Sequence, residues 1–283
     1  MSAGSPSLRQ ADAPIGVFDS GVGGLSVLRH IRALLPHERL LYAADAGFAP
    51  YGERSEAQLV ERSLVVAGFL IAHGVKAIVV ACNTATAAAV TALRARYPEL
   101  ILVGVEPGLK PAALSTNSRI VGVLATASTL ASARFMTLQR QVELAFDVRF
   151  ITQACNGLAA AIENGDLSSP ATADMVTSYV TPLVSKGADV LVLGCTHYPF
   201  VLPLVSAAAM QAPGPVAIID TGAAVARQLQ RLLTRHSLER AHGQPGTLSG
   251  HTSGSEQALR SAFFNLLGVQ AQVAGLSPAA VGA

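Results

Sequence analysis

The chain has 283 residues, of which 51% are hydrophobic and 13% charged, so it can build a large core and is not intrinsically disordered over most of its length. A formal net charge of +2 excludes the strongly basic surface of a nucleic-acid-binding protein and predicts no membrane-surface patch. Three cysteines are too few for a disulfide scaffold and favour a reducing, cytoplasmic location.

The N-terminal segment 1–13 lacks the cationic start and apolar run of a secretory signal, and we interpret it as a flexible leader. The longest apolar stretch, from Leu64 to Ala81, is interrupted by His73 and Lys76. Such an interruption favours a helix, a turn and a strand over a membrane span.

Short apolar runs then alternate with amphipathic helical patterns. Each run begins with leucine or β-branched residues and ends in small or polar ones, which is typical of buried parallel strands. The predicted strands are PIGVFDSG, LLYAAD, KAIVVACNT, ILVGVEPG, RIVGVLATAST, ADVLVLGCTH and VAIIDTG. The predicted helices include LSVLRHIRALL, EAQLVERSLVVAGFLIAHG and DMVTSYVTPLVSKG. The pattern predicts an α/β protein with parallel sheets covered on both faces.

The chain also repeats itself. HGVKAIVVACNTA, from His73, aligns without a gap with KGADVLVLGCTHY, from Lys186, and IGVFDSG, from Ile15, pairs more loosely with VGVLATA, from Val121. The copies lie too far apart for a solenoid repeat. We therefore predict two similar parallel-sheet α/β domains related by pseudo-two-fold symmetry, with the active site in the cleft between them.

The second unit is interpreted as an insertion into the first. GVEPGLKPA is the predicted outgoing linker, DTGAAVARQL is the return, and TLSGHTSGSEQALRSAFFNLLG would add a last strand and helix to the first domain. The predicted boundaries are 14–107 plus 223–268 for the first domain, 108–222 for the second, and 269–283 for a C-terminal tail.

Parallel α/β sheets bind ligands beyond the carboxyl ends of their strands. Residues suited to chemistry fall at five such ends, namely Asp19, Asp45, Cys82, Thr126 and Cys195. Cys82 and Cys195 also precede predicted helix starts, where the helix dipole lowers the pKa of a thiol. Structural packing is the simpler explanation for a single cysteine, and we apply it to Cys155, which has no equivalent in the repeat.

Each repeated thiol needs a partner for proton exchange. His197, two positions after Cys195, suits this role because its ordinary pKa lies near neutrality, although it could instead bind a carbonyl and stabilise the loop. The matching residue after Cys82 is Thr84, which takes up no proton, so Asp19 at a neighbouring strand end is the candidate base. Asp19 could also cap the helix that follows it.

Other kinds of site are weakly supported. DSGVGGLS resembles a dinucleotide-binding turn with Asp45 near the spacing of a ribose-binding acid, but Ser26 replaces the last glycine and Asp19 would oppose the pyrophosphate. The sequence contains no CxxC pair, and Cys195-x-His197 alone cannot form a zinc site, so we expect no metal. It also lacks the GxSxG elbow of a serine nucleophile. Lys110 is the only lysine near a strand end where pyridoxal phosphate could attach, and we expect no cofactor.

Six motifs, in this order, resemble those of the bacterial glutamate racemases: DSGVGGLSVL, APYGERS, ACNTAT, GVEPGLKPA, GVLAT and GCTHYPF. The resemblance covers about Pro14 to Gly268. It implies that L- and D-glutamate are interconverted without a cofactor, which supplies D-glutamate for peptidoglycan. It also implies that Cys82 removes the α-proton of D-glutamate and Cys195 that of L-glutamate, while the other thiol protonates the opposite face.

The resemblance further implies roles for the residues around the thiols. Asp19 would assist Cys82 and His197 would assist Cys195, while Asp45 and Glu163 match acidic positions that tune proton transfer. The implied substrate contacts are Asp19, Ser20, Tyr51, Gly52, Asn83, Thr84, Thr196 and His197. The expected partners are glutamate and a second copy of the chain in a homodimer, with neither nucleic acid nor a membrane.

The sequence departs from the family pattern at two positions. Phe48 stands where relatives often have a polar or charged residue, and Asn156 stands where proline is usual, in the segment that leads to Glu163. Two alternatives stay open: a racemase of another amino acid such as aspartate, or a binding protein that keeps the cleft without turnover.

Overall fold

A computed structural model describes residues 11–241 and 243–276; residues 1–10 of the predicted leader and 277–283 of the predicted tail lie outside the described residues. The strands are β1 (Ile15–Asp19), β2 (Leu40–Ala44), β3 (Ala77–Val80), β4 (Ile101–Gly104), β5 (Ile120–Ala125), β6 (Arg149–Ala154), β7 (Val190–Leu193), β8 (Ala217–Ile219), β9 (Leu248–Thr252) and β10 (Gln272–Gly275). The helices are α1 (Leu25–Leu34), α2 (Glu56–Ala72), α3 (Asn83–Arg96), α4 (Leu109–Ser115), α5 (Ala127–Ala131), α6 (Ala133–Phe146), α7 (Leu158–Glu163), α8 (Pro170–Val184), α9 (Leu202–Ala209), α10 (Gly222–Arg235) and α11 (Glu256–Leu267). Two short 3₁₀ helices span Tyr51–Glu53 and Tyr198–Val201.

These strands form two sheets in which every pairing is parallel. The first sheet has the order β10-β9-β2-β1-β3-β4, and the second has the order β6-β5-β7-β8. The order β2-β1-β3-β4 thus recurs as β6-β5-β7-β8, which places β3 and β7 at equivalent positions. The predicted parallel-sheet α/β class is confirmed.

Helices cover both faces of each sheet, which explains why the strands are continuous apolar runs. In β1, Ile15 packs with residues of α1, α10 and α11, whereas Phe18 packs on the opposite face with residues of α2 and α3. In β7, Leu191 packs with residues of α7, α8 and α9, whereas Val192 packs with residues of α4 and α6. Each fully buried aliphatic side chain of this kind stabilises the fold by about 1.5–3 kcal/mol.

The structure adds two strands to the predicted set. β6 pairs with β5 at one edge of the second sheet, and β10 pairs with β9 at one edge of the first. Both strands have few buried side chains, so their sequences lack the apolar pattern of the central strands. The predicted tail 269–283 therefore includes a strand of the first sheet, and the predicted domain boundaries stay predictions. None of the described helices is both long and apolar enough to cross a membrane.

Candidate active site

Cys82 and Cys195 line the same cavity, which has a volume of about 530 Å³. Cys82 follows β3 and Cys195 follows β7, so the two thiols lie at the carboxyl ends of equivalent strands of the two sheets. Both cysteines are free and buried. Most of the other predicted site residues also line this cavity, namely Ser20, Tyr51, Gly52, Asn83, Thr84, Glu163, Thr196 and His197.

Cys82 is the N-terminal cap of α3, where its sulfur accepts a hydrogen bond from the Ala85 amide at 3.4 Å. Its thiol donates to Ser20 Oγ at 3.8 Å. Burial raises the pKa of Cys82 to about 12, and the nearby charge of Asp19 adds to this effect. The lowered pKa predicted from the helix dipole is therefore wrong for Cys82, because burial outweighs the helix N-terminus. Near neutral pH this side chain is a neutral thiol.

Cys195 has a different setting from Cys82. It lies in a bend after β7, and the helix start predicted after it is the 3₁₀ helix that begins at Tyr198, with His197 as its N-terminal cap. Its sulfur lies 3.6 Å from His197 Nδ1. Because both atoms are within hydrogen-bonding reach, a proton can pass between the thiol and the imidazole.

His197 is buried between Cys195 and Glu163, and its Nε2 lies 2.8 Å from Glu163 Oε2. Burial alone would lower the pKa of His197, but the hydrogen bonds to Cys195 and Glu163 outweigh it and raise that pKa well above its ordinary value. These contacts replace the alternative in which His197 binds a carbonyl. The imidazole is thus held in its charged form.

Glu163, the last residue of α7, connects the two units of the fold. Its two carboxylate oxygens accept the Val22 amide at 3.2 and 3.0 Å. Burial opposes ionisation, yet the hydrogen bonds from His197 and Val22 hold the pKa of Glu163 below its ordinary value. A Cβ added at Gly21 would lie 2.4 Å from Glu163 Oε1, and one added at Gly23 would lie 2.4 Å from His197 Nδ1, so a larger residue at either position would displace these side chains.

Asp19 is fully buried and lies behind the residues that line the cavity. Its oxygens accept the Gly21 amide at 2.7 Å and the Thr196 hydroxyl at 3.1 Å. Burial raises the pKa of Asp19 to about 6, although the charge of His197 opposes the shift. Asp19 forms no side-chain cap on α1, whose N-terminal cap is Gly24, so the capping alternative is wrong.

The connection from Asp19 to Cys82 runs through Ser20. The Ser20 hydroxyl lies 3.4 Å from Asp19 Oδ1 and 3.8 Å from Cys82 Sγ. The first thiol therefore reaches a carboxylate only through a hydroxyl, whereas Cys195 has an imidazole at hydrogen-bonding distance.

Asn83 and Thr84 begin α3 at the cavity wall. The Asn83 Nδ2 atom is buried and has no hydrogen-bond partner within 11–241 and 243–276. Thr84 Oγ1 lies 3.1 Å from Thr126 Oγ1 and 3.2 Å from Thr129 Oγ1, which joins the two units on this side of the cavity. A buried donor without a partner, at a helix N-terminus that lines a cavity, fits an anionic ligand.

Asp45 is fully buried and does not line the cavity. It accepts hydrogen bonds from Tyr51 Oη, Arg62 and Ser253 Oγ at distances of 2.6–2.7 Å. The sequence analysis missed Arg62 and Ser253, because these residues lie on α2 and after β9 and only tertiary packing brings them to Asp45.

Cys155 also lines the cavity, although the sequence predicted only a structural role for it. Its thiol donates to the Gln153 carbonyl oxygen at 3.5 Å. Burial raises the pKa of Cys155 to about 12, so this thiol is neutral near neutral pH. Within the described part of the chain, no histidine is among the hydrogen-bond partners of Cys155.

Two similar parallel sheets thus place two buried thiols, at equivalent strand ends, on one cavity. The profile of the Asp/Glu/hydantoin racemase family matches residues 15–229, and the chain belongs to this family. The protein is accordingly an isomerase.

Similar proteins align with this chain over almost its whole length. A glutamate racemase of Ectopseudomonas mendocina is 54% identical over 267 residues, which cover 94% of this chain and 99% of the relative. The structure of a glutamate racemase isoform from Bacillus anthracis is similar with a TM-score of 0.85 and 30% identity, covering 95% of this chain and 98% of the other. The structure of Escherichia coli glutamate racemase with L-glutamate and the activator UDP-MurNAc-Ala is similar with a TM-score of 0.79 and 30% identity, covering 94% and 98%.

Proposed function

We propose that the protein is a cofactor-independent glutamate racemase that uses Cys82 and Cys195 and supplies D-glutamate for peptidoglycan synthesis. The observation on which this proposal rests is the pair of buried thiols at equivalent strand ends on one cavity. The relatives that share most of the chain's length support glutamate as the substrate.

Racemisation requires a base on one face of a carbon and an acid on the other. In the direction from L- to D-glutamate, Cys195 as thiolate takes the α-proton, and the electron pair of the broken C–H bond stays on the carbon as a carbanion. The Cys82 thiol then delivers its proton to the opposite face and becomes a thiolate. In the reverse direction the two sulfurs exchange these roles.

The two thiols exchange protons with different groups. On one side, the charged His197 exchanges a proton with Cys195, and Glu163 stabilises the imidazolium. On the other side, the raised pKa of Cys82 keeps this thiol protonated near neutral pH, so it holds a proton for the carbanion. To act as a base, Cys82 passes its proton towards Ser20 and Asp19.

The substrate carboxylates meet hydrogen-bond donors that already line the cavity. Asn83 Nδ2 has no partner among the described residues, and the Ser20, Thr84 and Thr196 side chains provide hydroxyls. Donors fixed in a buried site stabilise charge as it develops and cost little reorganisation during the reaction. These groups therefore bind the substrate and stabilise its carbanion.

A circular-dichroism assay with L-glutamate and L-aspartate side by side tests the proposal. The signal of L-glutamate should decay to that of the racemic mixture, while that of L-aspartate stays constant. A faster decay with aspartate would establish the alternative substrate, and no decay with either amino acid in folded protein would favour a binding protein without turnover. The homodimer and the cytoplasmic location stay predictions.

A further inference from the structure

We propose that Arg62, Asp45 and Ser253 are positioning residues that hold Tyr51, and with it the segment that forms one wall of the glutamate site. This inference rests on the proposed function and extends it to a group of side chains outside the cavity. We call the connection between β2 and α2 the cavity loop, residues 45–55.

Residues 49–53 of the cavity loop form one wall of the cavity. The loop backbone makes few hydrogen bonds of its own, namely Phe48 N to Asp45 O at 3.1 Å, Glu53 N to Pro50 O at 3.4 Å and Arg54 N to Tyr51 O at 3.2 Å. A connection of this length depends on side-chain contacts for a single conformation. The position of the wall therefore depends on what anchors the loop.

Tyr51 is the main anchor. Its hydroxyl donates to Asp45 Oδ2 at 2.7 Å, and the residue is only 2% exposed. The Tyr51 ring makes edge contacts with Phe18 and Phe48 at centroid distances of 6.3 and 5.9 Å. Because the hydroxyl is bonded to a residue outside the cavity, it serves to hold the loop.

The anchor depends on Asp45, and a fully buried carboxylate is costly unless it is paired. Arg62 supplies the pairing with two bonds of 2.6 Å, from Nε to Oδ2 and from Nη2 to Oδ1. Ser253 Oγ donates to Oδ1 at 2.7 Å, and the same hydroxyl accepts the Gly47 amide at 3.0 Å. Four donors thus satisfy the two oxygens and tie Tyr51 and the start of the loop to α2 and to the segment after β9.

Phe48, the departure from the family pattern, completes this group. The guanidinium carbon of Arg62 lies 5.5 Å from the centre of its ring, and that of Arg54 lies 4.6 Å away. Cation–π contacts of this kind favour a fixed guanidinium position. An aromatic residue at this position therefore supports the orientation in which Arg62 pairs with Asp45.

This arrangement differs from the proton-tuning role that the resemblance implies for Asp45. Its oxygens accept hydrogen bonds from Tyr51, Arg62 and Ser253, and Asp45 itself does not line the cavity. Loss of Arg62 would leave the buried Asp45 carboxylate without its cationic partner and weaken the hold on Tyr51. The expected consequence is weaker substrate binding with little change in the chemical step.

The test is the steady-state kinetics of Arg62→Met with glutamate. KM should rise about tenfold or more, because a buried charge loses its partner, while kcat changes by less than about threefold. Adding Asp45→Asn to Arg62→Met removes the unpaired charge and should bring KM most of the way back to the wild-type value. Arg94→Met, at an exposed arginine of α3, is the matched control and should match the wild type.

An unchanged KM in folded Arg62→Met, a loss confined to kcat, or no recovery in the double variant would overturn the proposal. If Arg62→Met does not fold, the KM of Tyr51→Phe tests the proposal, because this variant removes only the hydroxyl bound to Asp45. KM should then rise about threefold to tenfold, and an unchanged KM would overturn the proposal. Wild-type protein that does not racemise glutamate would refute the proposed function itself, whereas an active wild type with unaffected variants refutes only this inference.

Discussion

The Cys82 side and the Cys195 side of the cavity have the same strand geometry but different chemical surroundings. Each cysteine follows the strand that pairs with the first strand of its sheet, as the registers of β1 with β3 and of β5 with β7 show. Cys195 has the His197 imidazole at 3.6 Å, whereas the side-chain partner of Cys82 is the Ser20 hydroxyl at 3.8 Å. Duplication of the fold explains where the thiols lie, and the polar residues that differ between the copies determine how each exchanges its proton.

The two sides also depend on one another. Glu163 of the second unit accepts the Val22 amide of the first, and Asp19 of the first unit accepts the Thr196 hydroxyl of the second. The proton partners of each thiol are therefore held in place by the opposite unit, and changes to either unit should affect both thiols.

Removing either thiol should have the largest effect, because each is both an acid and a base of the proposed reaction. Cys82→Ser and Cys195→Ser should each lower kcat for glutamate racemisation by about a thousandfold or more, as measured by circular dichroism. Cys155→Ser is the matched control and should keep most of the activity. Full activity in either of the first two variants would disprove the two-thiol mechanism.

Glu163→Gln should directly impair proton exchange between His197 and Cys195, and not that of Cys82. We expect a fall in kcat of about tenfold to a hundredfold, because the imidazolium loses its charged partner. The raised pKa of His197 keeps the ring charged through neutral pH, and activity that needs the charge is lost as pH rises through that pKa. Without Glu163 the pKa falls, so the loss should begin at a lower pH; an unshifted pH profile would contradict this role.

Asp19→Asn should weaken the Cys82 side. The pKa of Asp19 is about 6, above its ordinary value of 3.8, so its ability to take up a proton is lost as pH falls through about 6. The wild-type enzyme should lose activity in this range, and Asp19→Asn should show about tenfold lower kcat without that acid limb. An acid limb that persists in the variant would assign it to another group.

Ser26→Ala should have the smallest effect. Ser26 lies on α1, and its buried hydroxyl donates to the Thr196 carbonyl oxygen at 2.7 Å across the two units. Loss of one such bond should lower kcat/KM by about threefold to tenfold. Ser26→Thr keeps the hydroxyl and should recover part of the loss, whereas equal losses in the two variants would indicate a steric effect at this position.

The equivalent placement of the two thiols could be predicted from the sequence. The repeated strand–cysteine pattern predicted equivalent positions for Cys82 and Cys195, because buried parallel strands have a strong apolar pattern. The sequence could not predict the raised pKa of Cys82, since the extent of burial is a property of the packed fold. Nor did it predict β10, whose four residues have a single buried side chain at a sheet edge.

The polar contacts around the site were predicted less completely than the positions of the two thiols. His197 lies close to Cys195 in the chain, so its role could be inferred from spacing. The pairing of Glu163 with His197, and of Arg62 with Asp45, joins residues from separate elements. Only tertiary structure brings such residues together, and local sequence patterns contain little information about them.

The most direct test of the two-thiol account is the isotopic content of both enantiomers early in the reaction of L-glutamate in deuterium oxide. If the two sulfurs act on opposite faces, D-glutamate should form with deuterium at Cα while the remaining L-glutamate keeps its protium. Early deuterium in L-glutamate, or D-glutamate that retains the original proton, would show that one group serves both faces and would contradict the account.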